Sequence, residues 1–124
     1  MKDHLVGHCP AACSKVRGVL ARVGDSWSVL VIFALDGMGM MRFNELKRHL
    51  GISQRMLSLT LRELERDGMV RRTVFDSVPP RVEYELTLLG ASFSAPIREM
   101  GRWALDNLDQ IDAARDVFDA RLEA

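Results

Sequence analysis

The chain has 124 residues, no net formal charge at pH 7, 48% hydrophobic and 27% charged residues. That is long enough for one domain with a core of its own and has the balance of a soluble globular protein. Total charge therefore argues nothing about a polyanionic partner, but its distribution does. Residues 42–72 carry eight Lys and Arg (Arg42, Lys47, Arg48, Arg55, Arg62, Arg66, Arg71, Arg72) against four acids, whereas residues 91–124 carry four Arg against seven acids. A basic middle and an acidic end fit a centre that faces nucleic acid and an end that faces solvent or a partner. The longest apolar run, Trp27 to Leu35, is too short to span a bilayer, and no signal peptide is visible after Met1-Lys2-Asp3-His4. The expectation is a cytoplasmic protein with no membrane contact, whose two cysteines are reduced at rest.

Residues 1–13 read as an irregular arm with His4, His8, Cys9, Pro10 and Cys13. Cys9 directly after His8 would crowd a tetrahedral zinc site, so metal binding is disfavoured. Reactive thiols and inert thiols both remain open. If a helix begins near Ser14, Cys13 lies at its positive end, which lowers a thiol pKa. Ser14 to Val23 has helical spacing, broken by Gly24-Asp25. Ser26 can cap a second helix, Trp27 to Leu35, apolar nearly all round and so expected to be the central buried one. Asp36-Gly37-Met38-Gly39 ends it. Met40 to Phe43 reads as short and extended, fit for the edge of a small sheet. Asn44 can cap a short helix, Glu45 to Leu50.

The stretch Gly51 to Gly68 carries its own start and stop. Ser53 can cap the first turn, and Gly68 stands where a left-handed residue ends a helix. Leu57, Leu61 and Leu64 form one buried stripe. Gln54, Arg55, Ser58 and Arg62 face the other way, side chains of the kind that read base edges and phosphates. Taken alone, this fits an ordinary surface helix equally well. Its setting decides otherwise: two helices joined by a short turn containing Gly is the helix-turn-helix plan.

After Gly68 the pattern switches to period two. Residues 70–76 and 82–87 read as strands of a hairpin around a stiff Pro79-Pro80 loop. Such a hairpin straight after a helix-turn-helix is a wing, and Arg81 is expected at its tip, on the DNA backbone or in the minor groove. Thr87 can cap a long final helical region kinked at Pro96, with an apolar stripe running through Ile111, Val117, Phe118 and Leu122. A small winged domain cannot bury that stripe on itself, so a two-fold dimer is expected. The expected organisation is a flexible arm (1–13), a DNA-binding core (14–87) and dimerisation helices (88–124). The expected fold class is mainly α with a small antiparallel β-hairpin wing, dimerised through its N- and C-terminal helices.

Gly24-Asp25-Ser26-Trp27, Arg42-Phe43-Asn44-Glu45-Leu46, Ile52-Ser53-Gln54-Arg55-Met56-Leu57, Leu61 to Gly68, Val78-Pro79-Pro80-Arg81-Val82-Glu83-Tyr84 and Leu86-Thr87-x-x-Gly90 together resemble the HxlR family of bacterial winged helix-turn-helix regulators, within the MarR-like group. The resemblance covers roughly residues 13–104. It implies a homodimer on a palindromic operator near the controlled gene, an N-terminal helix that joins the dimer interface, and an N-terminal cysteine that senses oxidants or electrophiles in some members. Cys9-Pro10 matches the family's dipeptide, while Cys13 matches better in its distance to Gly24.

The expected partner is double-stranded operator DNA, with Arg55 on guanine and Gln54 on adenine. Ser53, Ser58, Arg62, Arg42, Lys47, Arg72 and Arg81 would serve phosphates and add charge. Cys9 and Cys13 are the candidate redox sensors. Trp27, Phe93, Met100 and Trp103 would form dimer core or hold a small apolar inducer. No catalytic residues, cofactor or metal are expected, because no nucleophile–base pair, phosphate loop or carboxylate pair stands out. The competing class is a winged-helix module that binds protein and never meets DNA.

Overall fold

The computed structural model describes the backbone of residues 10–123 and the side chains of residues 14–123. Helix α1 (Pro10–Gly24) opens on a proline, whose fixed φ and missing N–H suit a first helical position. It thus starts earlier than Ser14, and Cys13 belongs to its opening turn. Helix α2 (Ser26–Met38) follows at a bend of 72°. Asp25 caps it, not Ser26: its carboxylate accepts from the Trp27 N–H at 3.1 Å and from the Ser28 hydroxyl at 2.9 Å. A charged acceptor at the positive end of a helix outcompetes the hydroxyl one residue later. The helix also runs past Leu35, to Gly39, whose φ of 84° ends it.

Strand β1 (Met41–Arg42) leads into α3 (Phe43–Leu50), which starts one residue before the expected cap Asn44. Here Glu45 reaches back to accept the Arg42 N–H at 2.8 Å, so Asn44 lies within the first turn. Helix α4 (Gln54–Arg66), strands β2 (Val70–Phe75) and β3 (Arg81–Leu86), and helix α5 (Leu88–Glu123) complete the order. The sheet is antiparallel in the order β1-β3-β2, with Met41 opposite Tyr84, Arg72 opposite Tyr84 and Phe75 opposite Arg81. The expected hairpin therefore carries the expected edge strand beside it.

Helix α2 packs on α1, α3, α4 and β3. Val31, Ile32 and Leu35 meet a core completed by Leu46, Ile52, Leu57, Leu61, Leu64 and Val70, all buried. Each such side chain contributes about 1.5–3 kcal/mol when fully removed from water. Among the described residues no single helix is long and apolar enough to cross a membrane; α1 and α2 meet that composition only as a bent pair.

The chain divides into two compact units, residues 1–94 and 95–124, the division falling inside α5. In the first unit Thr87 caps α5 as expected, accepting from the Gly90 N–H at 3.1 Å while its hydroxyl donates to the Gly68 carbonyl at 2.6 Å. The second unit is the remainder of α5. It holds Pro96 and leaves Leu105, Leu108, Val117, Phe118 and Leu122 exposed.

Candidate nucleic-acid interface

The turn between α3 and α4 is set by three residues. Gly51 takes φ 67°, a left-handed conformation that costs glycine little, and its N–H closes on the Lys47 carbonyl at 2.9 Å. Ile52 is buried and pins the turn to the core. Ser53 then caps α4, its hydroxyl accepting from the Met56 N–H at 3.1 Å. At the far end Gly68, φ 79°, donates to the Glu65 carbonyl and Met69 to the Leu64 carbonyl, each at 3.0 Å, and buried Met69 covers the last turn.

With both ends fixed, the 3.6-residue period sorts the faces of α4. Leu57, Thr60, Leu61 and Leu64 are buried; Gln54, Arg55, Ser58, Leu59 and Arg62 are exposed. The expected reading face is thus the outward one. Helix α1 is tied to the back of α4: the Arg22 Nε donates to Asp67 at 2.7 Å, and a second nitrogen lies 3.5 Å from Glu63. The hydrogen bond to Asp67 holds the Arg22 guanidinium pKa above the ordinary arginine value against the opposing effect of burial, with the charges of Asp67, Glu63 and Asp25 adding to it.

The hairpin corrects one expectation. Arg81 is not at the wing tip. It opens β3, half-buried, with its guanidinium 4.5 Å from the centre of the Phe75 ring and its Nε 2.6 Å from Glu83. The cause is register: Phe75 faces Arg81 directly across the hairpin, so stacking and the ion pair both become available. The tip is Ser77-Val78-Pro79-Pro80, where the Ser77 hydroxyl donates to the Pro79 carbonyl at 2.8 Å and Val78 is fully exposed.

The sheet also partitions its charge. On the face that carries Arg81, Arg71 pairs with Glu85 at 3.7 Å, and Arg42 at the β1 edge lies 3.9 Å from the same Glu83. Arg72 points the other way, beside Tyr84. Among the described residues Arg72, Arg55, Arg62, Lys47 and Arg48 have no acidic partner. These cations sit on α3, α4 and β2. The described residues also form clefts. One, of about 840 Å³, runs between the wing loop and the start of α3, with Arg42 and Arg48 on its wall. Another, of about 390 Å³, lies between α4 and the sheet.

Of the predicted positions, Gln54, Arg55, Ser58 and Arg62 share one helix face, Ser53 is exposed at the cap before it, Lys47 is half-buried on α3, and Arg42 is exposed but shared with Glu83. Arg48 was missed as a contributor; its place in the basic run of α3 was the available signal. Arg22 was missed because only its tertiary placement against Asp67 and Glu63 gives it a role. Trp27 and Phe93 are half-buried in the first unit, while Met100 and Trp103 are exposed on the second. Cys9 and the Cys13 side chain lie outside the described residues, as do His4 and His8. Among the described residues no cluster of His, Cys, Asp and Glu could hold a metal.

The comparisons agree with this geometry. Residues 22–112 match the model of the HxlR-like helix-turn-helix family. The HTH-type transcriptional regulator YdeP of Bacillus subtilis is 41% identical over 108 residues, covering 84% of each chain. The solved structure of the transcriptional regulator ytfH from Salmonella typhimurium superposes with a TM-score of 0.70 at 40% identity, covering 82% of this chain and 90% of that one. The reduced form of the redox regulator HypR gives a TM-score of 0.70 at 39% identity, covering 80% and 98%.

Proposed function

The chain belongs to the HxlR-like family of DNA-binding helix-turn-helix transcriptional regulators, and we propose that it acts as a homodimeric repressor on a palindromic operator, with its N-terminal thiols as the control point. The observation that carries the DNA part is the exposed Gln54, Arg55, Ser58 and Arg62 face of α4, on which Arg55 and Arg62, with Arg72 beside them, have no acidic partner among the described residues. In a two-fold dimer the two α4 helices would enter successive major grooves roughly 34–36 Å apart. Arg55 reads guanine and Gln54 adenine, each good pair giving about 1–3 kcal/mol of discrimination. Ser53, Ser58, Arg62, Lys47, Arg42 and Arg72 hold phosphates. Arg81 acts at one remove, by keeping the wing upright.

Support for the dimer is the row of exposed apolar side chains on α5, from Leu105 to Leu122. Support for thiol control is the likeness to a redox regulator, together with Cys9 and Cys13 in the sequence. Oxidation there would act on α1, which Arg22 ties to the end of α4.

The test is a binding titration on duplexes that the wild-type protein selects from a random library. Affinity should fall steeply with salt, and Arg55→Ala should lose preference among sequences. An Arg55→Ala variant that keeps both affinity and preference refutes the assignment of α4 as reader. Absence of any salt-dependent binding favours the protein-interaction module.

A further inference from the structure

The cleft between α4 and the sheet is lined by Ser58, Arg62 and Glu65 of α4, Arg72 of β2 and Tyr84 of β3, over Leu61. Its composition follows from two periodicities. Ser58, Arg62 and Glu65 are spaced so as to share one stripe of the helix. Arg72 and Tyr84 are directly opposite in the β2–β3 ladder and so share one sheet face. Along that face the chain goes from buried Val70, through Arg72, to exposed Val74. The cleft therefore opens where the core ends and the wing begins.

Its chemistry is that of an anion site. Arg62 and Arg72 approach it from two elements, and neither has an acidic partner among the described residues. On the other sheet face, by contrast, Arg71 and Arg81 each lie against a glutamate. Tyr84 is only 8% exposed, yet its hydroxyl makes no hydrogen bond with the described residues and is not among the fully enclosed polar atoms left without a partner. A hydroxyl so placed meets the cleft, since the rest of the ring is packed away. Two guanidinium groups, a phenol and the Ser58 hydroxyl supply donors for an oxyanion with several acceptor atoms. Glu65 is the exception. It borders the C-terminal end, where its charge pushes an anion towards Ser58.

Resting on the DNA reading proposed above, we infer that this cleft seats one backbone phosphodiester of the bound duplex, gripped between Arg62 of the reading helix and Arg72 of the hairpin, with Tyr84 and Ser58 as further donors. Because the grip comes from two elements, it fixes the angle at which α4 lies in the major groove. It sets register without carrying sequence information.

The test uses the selected duplex and full-length protein. Tyr84→Phe keeps the ring and removes only the hydroxyl; it should weaken binding about tenfold on every sequence alike. Arg72→Gln should weaken it similarly and reduce the slope of log affinity against log salt by about 0.9. Neutral methylphosphonates, scanned one linkage at a time, should reveal one linkage per half-site where wild type loses about tenfold and Arg72→Gln loses clearly less, the remainder being the share held by Arg62, Tyr84 and Ser58. Wild-type slope and affinity in both variants overturn the cleft assignment, as does a scan in which no linkage couples to Arg72. Failure of the wild type to bind any duplex overturns the DNA reading instead. The scan on wild type stands even if a variant is poorly folded.

Discussion

Gly90 is the tightest point in the fold. A methyl group there would overlap the Met69 carbonyl, lie 3.0 Å from its carbon and 3.2 Å from a Leu86 methyl. The Met69 carbonyl cannot retreat freely, since it accepts the Thr87 N–H at 3.0 Å while the preceding Gly68 carbonyl accepts the Thr87 hydroxyl. Overpacking against a fixed neighbour costs about 1–3 kcal/mol, and backbone places Gly90→Ala at the upper end. Loss of one junction hydrogen bond adds about 1 kcal/mol, roughly what alanine's better helix propensity returns. The net expectation is about 3 kcal/mol, or a urea midpoint lowered by about 2 M for an m value near 1.5 kcal/mol/M. The assay is urea unfolding by circular dichroism at fixed protomer concentration, because dimerisation would shift the midpoint. Gly37→Ala is the control: it also lies in a helix, but its added methyl meets nothing within 4 Å, so it should be neutral or gain up to about 1 kcal/mol. If Gly90→Ala unfolds within about 0.5 kcal/mol of wild type, the junction is not rigid and the reasoning fails.

Four further outcomes follow from single residues. The buried Thr60 hydroxyl has no partner among the described residues, so Thr60→Val should unfold at the same or higher urea, by up to about 1 kcal/mol, whereas a loss above about 1 kcal/mol would reveal a bond to it. Ser53→Ala should cost about 1 kcal/mol of stability and weaken DNA binding, measured by unfolding and by titration. Arg81→Lys should behave like Arg81→Ala in binding if stacking on Phe75 and contact with Glu83 are what matter; full retention by lysine would make Arg81 a simple charge. Arg22→Ala should cost about 1.5–2 kcal/mol through its bond to Asp67. Because the folded state raises the Arg22 pKa, that contribution is complete below the ordinary arginine value and fades only above it, so Arg22's own titration should leave the difference flat from about pH 6 to 9.

Most of the winged core was legible in the residues because local rules and packing agree there. The Leu57, Leu61 and Leu64 stripe, the Ser53 cap, the Gly51 and Gly68 turns and the Thr87 cap each have a local cause, and each stands where expected. The errors came where two local candidates competed. Asp25 and Ser26 can both cap, and only the Ser28 hydroxyl converging on the same carboxylate decides it. Asn44 was a good cap beside a better arrangement, in which Glu45 reaches back to the Arg42 N–H.

The roles of the strand arginines could not be read locally at all. Arg71 and Arg72 are alike in sequence, with Glu83 and Glu85 on the strand opposite, while Arg81 shares its own strand with those acids. Alternation places Arg71 and Arg72 on opposite faces, but which of them meets a glutamate depends on the hairpin register. A one-residue slip would leave Arg71 free and set Arg72 against a carboxylate. The observed register, Arg71 opposite Glu85 and Arg72 opposite Tyr84, spends the acids on one face. It leaves the other with an uncompensated cation beside Arg62. The same ladder sets Phe75 opposite Arg81, which removes from the wing tip the cation that the Pro-Pro-Arg motif suggested. Sequence thus supplied the charges, while strand pairing decided which of them a polyanion can meet.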